Sequence, residues 1–333
     1  MSSRLTLALE TGGLVLPDSG AIAVLHPRAG MDLSALPRER LRIVQPFRPD
    51  HDALRAAGYD CAPEAAGPFA ATLVCLPRAK AQARALVAQA MAATSGPVIV
   101  DGAKTDGIDS LLRDIRARAE VAGPVVKAHG KLFWLQADPD RFADWLPPEM
   151  RTAEGFVTAP GVFSADAVDP ASAALAAVLP AHLGVHVVDL GAGWGYLAAR
   201  VLERADVERL DLVEADHDAL ACARRNLDDP RARFHWADAT TWTPETRPDA
   251  VVTNPPFHVG RAADPSLGRA FIAAAARILA PSGSLWLVAN RQLPYEAALT
   301  DHFARIEEIG GDARFKLLHA ARPLRPRKNR PGR

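Results

Sequence analysis

The segment VVDLGAGWGYLA, residues 187–198, runs an apolar stretch into Asp189 and then into a turn carrying Gly191, Gly193 and Gly195. A helical pattern follows at once. Glycines in such a turn let the backbone approach a ligand with no Cβ in the way, and the amino end of the next helix supplies free N–H groups. The reading is strand, ligand-cradling loop, helix, which is the opening unit of an open α/β fold.

Outward from that segment the chain keeps alternating. VHVVDL, RLDLVEA, RFHWAD, DAVVTN and GSLWLVAN read as strands, and GYLAARVLERA, HDALACARRNL and SLGRAFIAAAARIL as helices, which predicts a mostly parallel sheet covered on both faces. A glycine turn alone suits NAD and S-adenosylmethionine equally. The next strand ends at Glu214, where a carboxylate can accept from both hydroxyls of a ribose. Asp238, after RFHWA, reaches the same edge and can accept from an adenine amino group, although an aspartate there also suits a turn or a helix cap.

The fourth strand runs into VVTNPPFHVG, residues 251–260. Ligands of open α/β sheets bind outside the carboxyl ends of the strands, so Asn254 is expected to face the site that the glycines define. Pro255 and Pro256 fix φ and hold Asn254 away from helix. The Asn254 amide oxygen and the Pro255 carbonyl then offer two acceptors for a planar exocyclic amine, aiming its nitrogen at a methyl donor, while Phe257 stacks on the ring. No strong base is needed, because the acceptors stabilise positive charge growing on the nitrogen. His258 is placed to touch the base or a phosphate, and equally suits a loop histidine packed for structure.

The first half rhymes with the second. Residues 71–117 and 249–303 show the same succession of strand, turn, helix, Ser-Gly, strand and helix, which predicts an internal duplication. Where the second half has Asn254, Pro255, Pro256 and Phe257, the first has Cys75, Leu76, Pro77 and Arg78, and it has no matching glycine turn. We therefore expect residues 1–150 to be a non-catalytic copy that helps hold the substrate, 151–322 to be catalytic, and 323–333 to be a basic Pro/Arg tail. DWLPPEM, residues 144–150, is the expected linker.

The totals narrow the class. The chain has 333 residues, 49% of them hydrophobic and 23% charged, with 39 basic and 39 acidic side chains. Residues 313–333 carry eight of the basic ones and no acidic ones, a tail able to ride on phosphates or simply to be solvated. No apolar run approaches the ~18 residues needed to cross a bilayer, so a cytoplasmic protein without a membrane partner is expected. Cys61, Cys75 and Cys222 lack ligand or disulfide spacing, and no metal site is expected. DGAKTDG, residues 101–107, puts Ala103 before Lys104 and so fails as a phosphate-binding loop.

At DLGAGWG, NPPFH, the lead-in PGVFSADAVDPAS (residues 160–172) and HGKLF in the first half, the chain resembles the class I S-adenosylmethionine-dependent methyltransferases of exocyclic amines. It is most similar to the ribosomal RNA guanine 2-amino methyltransferases of the small-subunit methyltransferase C group and their large-subunit relatives. The resemblance implies two Rossmann-like methyltransferase domains, S-adenosylmethionine as methyl donor, and ribosomal RNA or a ribosomal subunit as partner. It gives Gly191, Gly193 and Gly195 to the methionine part, Glu214 to the ribose, Asp238 to the adenine, Asn254 to Phe257 to the base, Phe163 and Ser164 to a cover over the cofactor, and counts Asp189 among the cofactor-binding residues. The alternatives are a large-subunit guanine, a protein glutamine or a DNA adenine as substrate, and more distantly an NAD-dependent oxidoreductase or an inactive RNA-binding protein.

Overall fold

The computed structural model describes residues 3–324 except 65, 66, 257, 260, 261 and 264, and of residues 258, 259, 262 and 263 only the backbone. Phe257 and the tail from residue 325 thus lie outside the described residues. The chain divides into two compact units, Met1–Met150 and Arg151–Arg333.

In the first unit seven strands, β1 (Ile22–Leu25), β2 (Leu41–Val44), β3 (Cys61–Ala62), β4 (Ala71–Cys75), β5 (Pro97–Ala103), β6 (Ala122–Lys127) and β7 (Gly130–Gln136), form one sheet in the order 3-2-1-4-5-7-6. Helices α1 (Arg4–Glu10), α2 (Arg48–Ala56), α3 (Lys80–Ala93) and α4 (Ile108–Arg116) accompany it. Only β7 runs against its neighbours, pairing antiparallel with both β5 and β6.

The second unit repeats this plan. Its strands are β8 (His186–Leu190), β9 (Arg209–Glu214), β10 (Ala232–Trp236), β11 (Ala250–Thr253), β12 (Ser284–Asn290), β13 (Phe303–Gly311) and β14 (Phe315–Pro323), ordered 10-9-8-11-12-14-13. Its helices are α5 (Pro170–Val178), α6 (Tyr196–Leu202), α7 (His217–Asn226), α8 (Pro265–Ile278) and α9 (Tyr295–His302). The duplicated α/β architecture expected from the sequence is therefore present, strand for strand. All five residues of β8 are buried, as a central parallel strand covered on both faces requires. One core lies between the sheet and α8 and α9, around Leu285, Leu287 and Tyr295; another packs α5, α6 and α7 around Val187, Leu212 and Val252. Each such buried aliphatic side chain contributes roughly 1.5–3 kcal/mol. All three cysteines are free thiols.

The pairing registers align the two units residue by residue. Anchoring Ser95-Gly96 on Ser282-Gly283 makes Pro97 equivalent to Ser284, and their partners Gln136 and Ala321 follow. Thr72 pairs with Val98 as Val251 pairs with Leu285, so Cys75 falls on Asn254. Val24 pairs with Leu73 as Asp189 pairs with Val252, which puts Val24 on Asp189 and His26 on Gly191. Leu25 pairs with Val44 as Leu190 pairs with Val213, so Gln45 falls on Glu214. One ion pair is common to both units. Lys131 of β7 meets Asp109, the second residue of α4, at 2.7 Å, and Lys316 of β14 meets Glu296, the second residue of α9.

Asp211 ties the strands of the second sheet together. It is fully buried and accepts from His186 on β8 at 2.6 Å, from His235 on β10 at 2.7 Å and from Arg209 at 2.9 Å. Burial alone would raise its carboxyl, but those three donors hold it well below the usual range. Helix α8 meets α9 through a notch at Gly268, where a Cβ would stand 1.8 Å from the Tyr295 hydroxyl oxygen. Tyr295 is itself fully buried and has nowhere to retreat. Gly268→Ala is therefore expected to destabilise the protein by about 1–3 kcal/mol despite the better helix propensity of alanine, measured as a lower urea midpoint.

Candidate active site

Strands β8, β9 and β11 end at the same edge of the second sheet, and there the chain forms a cleft. Phe163, Ser164, Gly191, Gly193, Trp194 and Asn254 line it, with Asp169 and Ser172. Thr253 Oγ1 donates to the Leu190 carbonyl at 2.6 Å, tying the ends of β8 and β11 beneath it.

All three glycines of the turn are left-handed, with φ of 74° at Gly191, 55° at Gly193 and 92° at Gly195. A Cβ on Gly193 would meet nothing within 4 Å, so its backbone is open toward the cleft; at Gly195 it would stand 3.2 Å from Leu227, where α6 passes close to α7. Four of the N–H groups of the turn are already used. Those of Gly191 and Ala192 donate to the Val213 carbonyl, that of Gly195 to the Ala192 carbonyl, and that of Gly193 to Glu214 Oε2 at 2.8 Å. A ligand here lies against bare Cα atoms and does not take up hydrogen bonds from these four donors.

Glu214, expected to meet a ribose, is held by the backbone on two sides. Besides Gly193, it accepts from the Asp216 N–H at 2.8 Å through Oε1, so one carboxylate fixes both the glycine turn and the start of α7. Burial pushes its carboxyl up to about 7, the nearby Asp216 charge adds to this, and the backbone donors oppose it. Asp189 lies deeper, fully buried, and neither of its oxygens has a hydrogen-bond partner. Burial, then the Glu214 charge, push it up to about 8, against the pull of the Ala198 N–H in the first turn of α6. Asp238 Oδ1 accepts from the N–H and hydroxyl of Thr240, closing a turn, so one of its oxygens serves structure.

Phe163 is 56% exposed at the mouth of the cleft, and Ser164 beside it has φ of 53°. The lead-in segment is held by two residues that the sequence reading passed over. Trp194 Nε1 donates to the Phe163 carbonyl at 2.9 Å, and Asn226 on α7 bonds to Val157 N–H and carbonyl and to the Trp194 carbonyl, stapling lead-in to glycine turn. Phe156, Trp194 and Tyr196 pack ring on ring around that staple.

Asn254 stands at the end of β11, and its Nδ2 donates to Asp169 Oδ2 and to Ser172 Oγ, each at 2.9 Å. Both partners belong to the start of α5, where Asp169 caps the helix by accepting from Ser172 N–H. The Asp-Pro-x-Ser spacing of residues 169–172 is a readable cap signal, but its contact with Asn254 spans 85 residues. Pro255 is buried. The backbone of His258 and Val259 pairs with Ala262 and Ala263, and Phe257 lies outside the described residues.

The first unit holds none of this chemistry at the equivalent positions. Val24 replaces Asp189, His26 takes the left-handed place of Gly191 with φ of 56°, and Cys75, in the place of Asn254, packs its sulfur 3.4 Å from that of Met31. Gln45 replaces Glu214 and still accepts from the N–H two residues on, that of Phe47, at 2.9 Å. Its amide nitrogen donates to the Pro27 carbonyl at 2.8 Å. Pro27–Arg28 is the counterpart of Ala192–Gly193, so the same peptide unit shows a carbonyl to the amide in one half and an N–H to the carboxylate in the other.

Residues 154–319 match the methyltransferase small domain family. The chain is 31% identical to the ribosomal RNA small subunit methyltransferase C of Hahella chejuensis over 68% of that protein and 66% of its own length, and 30% identical to that of Shewanella pealeana over 76% and 75%. It belongs to the ribosomal RNA small subunit methyltransferase C family. The ribosomal RNA large subunit methyltransferase G of Shewanella amazonensis is also similar, 31% identical over 62% of that protein and 68% of this chain. Among solved structures, the T. thermophilus 16S rRNA N2 methyltransferase in complex with AdoMet and guanosine is 26% identical, with a TM-score of 0.77 over 96% of this chain and 91% of that one. Among the described residues no helix is long and apolar enough to cross a membrane, and no cluster of side chains is fit to hold a metal ion.

Two outcomes follow from the carboxylates of this methyltransferase. Asp189 and Glu214 keep protons in the folded protein that the unfolded chain releases at ordinary carboxylate pKa values, so their contribution to stability is full at low pH. It is lost as pH rises through about 7 to about 8. Urea unfolding without added cofactor should show stability falling from pH 5 to pH 8, and Asp189→Asn should flatten that slope. Glu214→Gln puts an N–H donor among two backbone N–H groups; leaving one unsatisfied costs about 1–3 kcal/mol. Calorimetric titration with S-adenosylmethionine should therefore show about tenfold or greater weakening.

Proposed function

We propose that the second unit transfers a methyl group from S-adenosylmethionine to the exocyclic 2-amino group of a guanine in small-subunit ribosomal RNA. The observation that carries the reading is the Asn254 amide, whose nitrogen is held by Asp169 and Ser172 so that its oxygen is left for a substrate N–H. Family membership and the similarity to an enzyme solved with AdoMet and guanosine support it.

The residues present suit this cofactor. Open backbone at Gly193 admits a ligand lying flat on the turn, and the exposed Phe163 ring stands at the mouth to cover it. Gly191 and Gly193 would hold the methionine part, Glu214 the ribose through its remaining lone pairs, Asp238 the adenine, and Phe163 and Ser164 the outer face. When bound, S-adenosylmethionine supplies an electrophilic methyl on a sulfonium. Asn254 Oδ1 and the Pro255 carbonyl accept the two amine N–H bonds, orient the nitrogen, and stabilise the positive charge that grows on it. Neither is basic enough to take a proton, so the amine proton leaves to water. Phe257 would stack on the base, with His258 beside it.

The first unit reads as a non-catalytic copy that holds RNA. Its cofactor positions carry Val24, His26, Gln45 and Cys75, and the Cys75–Met31 contact fills the place where Asn254 faces the cleft in the second unit.

Labelled methyl from S-adenosylmethionine, offered to unmodified small subunits, large subunits and free ribosomal RNA, should yield N2-methylguanosine on the small subunit. The same product on the large subunit would transfer the assignment to the large-subunit relatives. Asn254→Ala should remove methyl transfer while cofactor binding stays within a few-fold of wild type; joint loss of both would overturn the role given to Asn254.

A further inference from the structure

Among the described residues lining the cleft, Asn254 is the one whose usefulness depends on which way round its side chain sits. An amide presents an acceptor on one side and two donors on the other, and only the acceptor serves an amine substrate. Rotating the amide by half a turn would point N–H groups at the substrate N–H groups.

The structure fixes that choice chemically. The Asp169 carboxylate has only acceptors to offer, so the Asn254 atom 2.9 Å from its Oδ2 has to be the nitrogen. The second hydrogen of the same nitrogen goes to Ser172 Oγ, also at 2.9 Å. Both anchors are rigid. Asp169 Oδ2 also accepts the Ser172 N–H at 2.8 Å as the cap of α5, and Ser172 is buried in the first turn of that helix. Helix α5 packs on the face of the second sheet together with Val252, two residues before Asn254.

We infer that Asp169 and Ser172 are positioning residues for methyl transfer: they hold the Asn254 amide with its nitrogen inward and its oxygen toward the target amine. This rests on the role proposed for Asn254. Neither residue needs to touch the base, and their effect on the rate passes through Asn254 alone.

Asp169→Ser keeps a good helix cap but is too short to reach Asn254, and Ser172→Ala removes the other acceptor without disturbing the cap. The double variant Asp169→Ser/Ser172→Ala should lose about tenfold to a hundredfold in kcat. KM for S-adenosylmethionine and the thermal midpoint should stay close to wild type, and Ser172→Ala alone should show a smaller loss of the same kind.

The decisive arm uses Asn254→Asp. There the new carboxylate faces Asp169 across the distance now spanned by the hydrogen bond, a like-charge contact. Adding Asp169→Ser to Asn254→Asp should raise kcat, the reverse of its effect on the wild-type background, a change of sign that a purely structural role would not produce. Wild-type kcat in the double variant, or the same sign on both backgrounds, overturns the inference. If Asn254→Ala itself transfers methyl at the wild-type rate, the role of Asn254 is wrong and the inference falls with it.

Discussion

A carboxylate with no partner sits at the centre of the second sheet. Asp189 is enclosed on every side and neither of its oxygens is hydrogen-bonded, a state whose cost the folded chain avoids by keeping the group protonated. The glycine turn begins two residues later, Glu214 raises its pKa from the next strand, and the first turn of α6 points an N–H at it.

The parallel register converts that local fact into a site. Because β8, β9 and β11 run the same way and end level, three residues far apart in sequence, Asp189, Glu214 and Asn254, reach one edge. Helix α5 then completes the edge by anchoring Asn254, and Asn226 with Trp194 closes the lead-in segment over the turn. The edge is thus held by two separate helix ends, the start of α7 through Glu214 and the start of α5 through Asn254.

The alternation of strands and helices was legible because central parallel strands are buried on both faces and read as continuous apolar runs, as β8 does. The glycine turn, the places of Glu214 and Asn254 at the ends of their strands, and the repeated strand order were legible as well, since each shows in residue type and spacing. What escaped was the hydrogen bonding. That four N–H groups of the turn are already taken, two of them by Val213 and one by Glu214 on the next strand, and that Asp169 reaches Asn254 depend on tertiary closure between segments that no local pattern connects; the turn at Asp238, by contrast, is local and was readable. Asp169 and Ser172 could be read as a helix cap, but a cap says nothing about what lies across the cleft from it.

Within one chain the two halves form a matched pair, one with the cleft chemistry and one without. The Lys131–Asp109 and Lys316–Glu296 pairs occur in both, which marks them as demands of the architecture. The turn after the first strand does not survive unchanged. There Gln45 stands for Glu214, and the peptide that shows its N–H to the carboxylate shows its carbonyl to the amide. A single oxygen-to-nitrogen exchange on one side chain is thus accompanied by reversal of a whole peptide plane, and a binding loop becomes a closed structural corner. The corner closes in this way while the strand order of the sheet around it is the same in both halves.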